Sequence, residues 1–196
     1  MKALGYLASL CAVCALWSVF AYPVDRPEQF NSLDITGAQC CRDLRLADES
    51  GRLRTLSDFR GKVVVIAFGY TYCSTVCPTT LADLARARRS LGSLARDVQV
   101  LFVTLDPARD SGAVLRAYLN GFDRSFIPLR GSEEQVARTA SDFRIVFDRD
   151  TPGADGGYDV YHTSGAYVFD RSGRPRLFAS VTTANLLAAD LRTLLR

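Results

Sequence analysis

The chain of 196 residues contains one histidine, one methionine and one tryptophan. A single imidazole, His162, excludes a site built from several histidines, and Met1 leaves no internal thioether for a soft metal. Lysine is nearly absent. Among 24 basic residues only Lys2 and Lys62 are lysines, and the rest are arginines. The arginines are scattered among 21 acidic residues, giving a net charge of +3. Their densest cluster, Arg86, Arg88 and Arg89, reads as a solvated helix face. No stripe of basic residues interleaved with aromatics occurs, so a nucleic-acid partner is not expected. There is no internal repeat. Six cysteines are too few for a disulfide scaffold of this length.

The cysteines instead fall in three close pairs: Cys11 and Cys14, Cys40 and Cys41, Cys73 and Cys77. Hydrophobic content of 48% and charged content of 23% are those of a globular domain. Lys2 precedes an uncharged run from Ala3 to Tyr22. As a helix this run is roughly 30 Å long, the hydrocarbon thickness of a bilayer. It is either a signal peptide cleaved after Ala21 or an uncleaved signal anchor, and its length favours the anchor. Leu10 and Val13 are too large for a lipoprotein-type cleavage before Cys11 or Cys14. Either reading exports the domain, anchored in the inner membrane facing the periplasm or soluble in the periplasm. Residues 23–39 read as a spacer, and 40–196 as one domain.

Val63 to Phe68 is a continuous apolar run, a buried strand. A helical pattern opening at Pro78 follows it. A hairpin precedes it, with Leu44–Leu46 and Leu53–Leu56 joined through Asp48-Glu49-Ser50-Gly51. Val98 to Leu105 is a second long strand. Asp110 or Ser111 caps the next helix, and Gly121 ends it. Phe126 to Leu129 is a short strand, and Ser132 with Gln135 forms a capping box. Ile145 to Phe147 is a small strand, and 151–159 a loop. Val160 to Phe169 pairs with Arg176 to Ser180 around the turn Asp170–Gly173. An amphipathic helix carrying Leu186, Leu187, Leu191, Leu194 and Leu195 closes the chain. This order predicts an α/β fold of the thioredoxin-like kind: a central mixed sheet, helices on both faces and an N-terminal hairpin.

Cys77 falls at a helix N-terminus, where unpaired N–H groups favour a thiolate, the form that attacks disulfides and binds metals. Three residues separate it from Cys73, one more than redox enzymes of this fold use. That spacing permits a disulfide and also lets both sulfurs point at one soft ion. Redox members place a cis-proline before the strand facing the cysteines. Here that region, Tyr158-Asp159-Val160-Tyr161-His162, has no proline and holds the one histidine. Two thiolates and an imidazole make a trigonal N/S set suited to copper, Cu+ or Cu2+, whereas zinc needs a fourth ligand. Asp106 is a candidate for that place, for a supporting position behind the ligands, or for a turn. Thiol–disulfide exchange through Cys73 and Cys77 stays open, and so does peroxide reduction with Arg109 beside the thiol.

Three ordered motifs resemble the Sco/SenC family. They are Thr71-Tyr72-Cys73 through Cys77-Pro78-Thr79-Thr80-Leu81, Asp106-Pro107-Ala108-Arg109-Asp110, and Tyr158-Asp159-Val160-Tyr161-His162-Thr163-Ser164. The resemblance covers roughly residues 42–196. It implies an exported thioredoxin-fold metallochaperone that helps assemble the binuclear copper site of cytochrome c oxidase. Copper would be held by Cys73, Cys77 and His162, with Asp106 outside them. The implied partners are the copper-site subunit of the oxidase or a related copper protein, other copper chaperones and thioredoxin-like reductants. Ser74 replaces the family's usual proline, and Cys40-Cys41 lies outside its pattern.

Overall fold

The computed structural model describes residues 28–42, 44–151, 153, 157–179 and 184–196. The apolar run over 3–22, with Cys11 and Cys14, lies outside them. Ten strands and four α-helices occur among the described residues. In chain order they are β1 (Leu33–Asp34), β2 (Leu46–Ala47), β3 (Leu53–Arg54), β4 (Val63–Gly69), α1 (Val76–Ser90), β5 (Val98–Thr104), α2 (Gly112–Asn120), β6 (Ile127–Leu129), α3 (Glu133–Asp142), β7 (Phe147–Arg149), β8 (Val160–His162), β9 (Ala166–Phe169), β10 (Pro175–Ala179) and α4 (Ala184–Leu194).

Six strands form one mixed sheet in the order β1-β10-β9-β4-β5-β6. β4, β5 and β6 are parallel, while β9, β10 and β1 join in antiparallel steps. All seven residues of β4 are buried, because both faces of the sheet are covered. Val63, Val65 and Ala67 pack with Leu81 and Leu84 of α1, Leu115 of α2 and Leu191 of α4. Val64, Ile66 and Phe68 point the other way, into a cluster with Leu46, Phe59 and Val136 and Ala140 of α3. The continuous apolar run is thus two half-faces of one strand. The fold is thioredoxin-like, with helices on both faces.

Several boundaries differ from the sequence reading. α1 begins two residues before Pro78, which sits in the first turn, where its missing N–H is not needed. Ser111, not Asp110, caps α2, and Ser132 with Gln135 forms the expected capping box on α3. The small strand starts at Phe147, because the Ile145 N–H still bonds back to Ala140 at the end of α3. The run from Val160 to Phe169 is not one strand. β8 pairs with β7 in a separate ribbon, and β9 enters the main sheet. Gly165 makes the break, at φ +141, where a Cβ would run into the Phe178 ring.

The expected spacer is also shorter. From Glu28 onward the chain packs on the domain, and β1 is an edge strand of the main sheet. The buried Asp190 carboxylate on α4 accepts hydrogen bonds from the backbone and side chains of Asn31 and Ser32, at 2.6–2.9 Å.

The expected hairpin is β2–β3, and Asp48 holds its turn. Its carboxylate accepts from Ser50 N–H and Oγ–H, Arg52 N–H and Arg54 Nε–H at 2.6–3.1 Å. Burial opposes ionisation, but these donors outweigh it and hold the pKa at about 2, below the ordinary 3.8. A depressed folded-state pKa contributes stability above the ordinary value, and that stability is lost as pH falls through the folded one. Urea unfolding across pH should therefore show the domain weakening between about pH 4 and pH 2. Asp48→Asn should remove on the order of 2 kcal/mol of that acid-sensitive stability. A variant with an unchanged acid profile would contradict this.

Candidate metal centre

Cys73 and Cys77 stand where β4 hands over to α1, and they differ in environment. Cys77 is buried, while Cys73 is half-exposed. The Cys77 N–H, in the first turn of α1, donates to Cys73 Sγ at 3.3 Å. Burial works against a thiolate at Cys73. The N–H groups of Cys77, Thr75 and Val76 outweigh it, so the pKa lies below the ordinary thiol value. Burial pushes the Cys77 thiol the other way, and the adjacent Cys73 sulfur adds to the effect. In the reduced, metal-free chain, iodoacetamide at neutral pH should modify Cys73 at least about tenfold faster than Cys77. Peptide mapping of the alkylated chain measures this, and equal rates would remove the asymmetry.

Room for the Cys77 sulfur comes from Gly69, the last residue of β4. A Cβ there would lie 2.7 Å from Cys77 Sγ and 3.0 Å from Phe102 Cε2. The sulfur occupies the space that any other side chain would fill.

His162 ends β8, on the short ribbon beside the sheet. Its Nε2 lies 3.6 Å from Cys77 Sγ, and its Nδ1 lies 3.0 Å from the Thr163 carbonyl. A carbonyl only accepts, so Nδ1 carries the proton and Nε2 presents its lone pair to the sulfur. The ring meets Tyr70 edge-on, with centroids 6.4 Å apart, and the Tyr70 hydroxyl donates to Asp159 at 3.1 Å. Cys73, Cys77 and His162 thus meet at one end of the sheet as two paired contacts. Among the described residues no three Cys, His, Asp or Glu side chains form a finished cage.

Asp106 follows β5 and is fully buried. One carboxylate oxygen accepts from the Tyr158 hydroxyl at 2.8 Å, and the other is held by Arg109. Neither oxygen is spare for a metal, so its contacts suit a supporting position rather than a fourth ligand. Arg109 is committed as well. Its guanidinium lies 3.6 Å from the Tyr158 ring centroid and 4.6 Å from that of Tyr72. That leaves it as a clamp between the Cys loop and the His segment, a role not predicted for it.

Asp110 is the larger surprise. It is fully buried and faces the Cys loop instead of capping α2. It accepts from the Thr71 N–H at 3.1 Å, the Thr71 hydroxyl at 2.5 Å and the Thr104 hydroxyl at 2.6 Å. The start of the Cys loop is thereby tied to the end of β5. An acid following Asp-Pro-Ala-Arg looks like a turn former, and nothing local distinguishes it from one. Tyr72 on the Cys loop and Val76 at the start of α1 are exposed.

A family model for SCO1/SenC matches residues 34–196. The mitochondrial SCO2 homolog of Bos taurus is 35% identical over 133 residues, 67% of this chain and 50% of that protein. The chain thus spans half the length of that relative. Among solved structures, ScoI of Bradyrhizobium japonicum with copper bound aligns with a TM-score of 0.71 and 34% identity, over 76% of this chain and 96% of that one. Apo Sco1 of Thermus thermophilus aligns at 0.76 and 34%, over 86% and 98%. A thiol pair and an imidazole on this sheet, in a chain matched by the family model over nearly the whole described domain, make this protein a member of the SCO1/SenC family.

Proposed function

We propose that this chain is a copper metallochaperone that takes up one copper ion through Cys73, Cys77 and His162 and helps assemble the binuclear copper site of cytochrome c oxidase. The observation carrying the proposal is the approach of His162 Nε2 to Cys77 Sγ, with the tautomer set by the Thr163 carbonyl. The donor set fits the ion: two thiols and a neutral imidazole are soft and borderline donors, suited to Cu+ and acceptable to Cu2+. Zinc would require a fourth ligand, and Asp106 is already engaged on both oxygens. Outer contacts of the kind made by Thr163, Tyr70 and Asp110 orient ligands at metal sites. Copper is the cargo, and the exposed Tyr72 and Val76, on either side of Cys73 in the chain, are where a recipient would dock. The recipient is the oxidase copper-site subunit or a related copper protein. Other copper chaperones and thioredoxin-like reductants serve as donors and reductants.

The leader places the domain outside the cytoplasm, anchored in the inner membrane facing the periplasm, or soluble there if cleaved. Residues 1–22 are then the anchor or signal peptide and 40–196 the copper-binding domain, with the packed segment from Glu28 joining them.

The thiol asymmetry supports a second activity on the same residues. A partly exposed, low-pKa Cys73 can attack a partner's disulfide, and buried Cys77 can then resolve the mixed disulfide. The partner gains two thiols, and this chain keeps the Cys73–Cys77 disulfide.

Anaerobic titration of the reduced chain with Cu+ against a chromophoric competitor tests the main reading. About one equivalent should bind per chain, and Cys73→Ser or Cys77→Ser should lose it. A reduced chain that leaves all the copper with the competitor overturns the proposal.

A further inference from the structure

The end of the sheet opposite the thiols carries a different surface. β9 runs antiparallel to β4 with Phe169 beside Val64, so the β9–β10 turn and Arg60 lie at the β4 end away from Gly69. Two clefts meet there. One, of about 320 Å³, is lined by Arg42, Arg45, Arg60, Ser57 and Ser172 among others. The other, of about 600 Å³, is lined by Gln39, Arg42, Arg174 and Arg176 among others. Arg42 and Gly173 belong to both, and among the described residues no carboxylate lines either. Arg174 and Arg176 are paired with Asp170 and Glu28. The Arg42 guanidinium donates to the neutral Gln39 amide, at 2.8 Å. Arg45 and Arg60 are exposed and make no ion pair among the described residues.

The chain enters the domain beside this surface. Glu28 is the first described residue, and it pairs with Arg176 at 2.5 Å. The uncharged run ends at Tyr22, and the six peptide steps to Glu28 reach at most about 20 Å. With the run in a bilayer, the arginine-lined end is held within that distance of the headgroups. Asp190 fixes Asn31 and Ser32 on α4, which shortens the free tether at the domain side.

We propose that the cleft surface formed by Arg42, Arg45, Arg60 and Arg174 docks on the phosphates of an anionic phospholipid surface. The proposal rests on the anchored reading of the leader and is separable from copper binding. Guanidinium groups bind phosphate through a planar fork, and each basic residue close to an anionic surface adds about fivefold to the attraction. Docking this end points the thiol pair away from the bilayer. β4 alone, seven residues long, sets a separation of about 23 Å.

The test uses the full chain with phosphatidylcholine vesicles, with or without phosphatidylglycerol. Phenylglyoxal modification of each arginine is followed by mass spectrometry. Arg42, Arg45 and Arg60 should react about fivefold more slowly on the anionic vesicles, and added salt should restore the rate. Arg149, which lies beside Asp106 near the thiol end, should be unaffected. The triple variant Arg42→Gln, Arg45→Gln, Arg60→Gln should lose the lipid-dependent protection of Arg174 while keeping its copper stoichiometry. Equal modification on the two kinds of vesicle overturns the proposal. Equal protection by soluble glycerol phosphate also overturns it, because the clefts would then be a free-anion site. Insertion into neutral vesicles is scored separately and reports on the leader, so a failed tether and a failed docking face are told apart.

Discussion

His162→Ala should lower Cu+ affinity by at least about 100-fold, more than the 10–100-fold that outer-shell partners of metal sites cost. The same variant should still form the Cys73–Cys77 disulfide, since the loop that carries the thiols is held by other residues. Asp110 ties Thr71 to β5, and the Cys77 N–H meets Cys73. Stability should change little, because the half-exposed ring contributes few buried contacts. Three measurements separate the readings: competitor titration, disulfide formation by mass, and reduction of a partner disulfide. Loss of copper with thiol exchange retained supports delivery of copper with exchange as a second activity. Copper affinity within a few-fold of the parent chain would remove the imidazole from the ligand set and leave thiol exchange as the better account.

Gly69→Ala is expected to damage the fold and the thiol site together. The new Cβ falls 2.7 Å from Cys77 Sγ and 3.0 Å from the Phe102 ring. Phe102 is buried on the α1 face of β5 and has little room to retreat. Overpacking of this kind costs about 1–3 kcal/mol. The sulfur is the easier atom to displace, and it is the one that must meet His162, so copper affinity should fall together with stability. A double-mutant cycle with Cys77→Ala locates the cause. If the clash is with the sulfur, most of the Gly69→Ala stability loss should vanish in the Cys77→Ala background. A full loss in both backgrounds would place the strain at Phe102 instead.

The two central strands were legible because burial on both faces leaves an apolar run, and Val63–Gly69 and Val98–Thr104 have that pattern. The capping box at Ser132 was legible for a similar reason: its chemistry is local. What stayed hidden is long-range. Asp190 staples Asn31 and Ser32 across more than 150 residues, so a stretch with no period of its own became an edge of the sheet. Asp110 looks like a helix cap, and only the fold turns it toward Thr71. Gly165 carries no mark that separates a strand glycine from a strand break. Its meaning depends on Phe178, which arrives from β10. The buried, free Cys40 and Cys41 pack with Phe143 and Tyr167, and no sequence pattern announces that neighbourhood.

The break at Gly165 divides the site between two bodies with separate ladders. Both sulfurs ride on the junction of β4 and α1, locked into the six-stranded sheet. The imidazole rides on a ribbon of two three-residue strands, and a two-stranded pairing has little cohesion of its own. Side chains rather than ladder bonds join it to the main sheet: Val160 is buried in the core, Tyr158 donates to Asp106, and Asp159 accepts from Tyr70. An ion shared by all three donors would add a direct link between the two bodies, through Cys77 and His162. Loading of such an ion would then be read in the side-chain contacts between the two bodies, while the ladder that bears the thiols stays as it is.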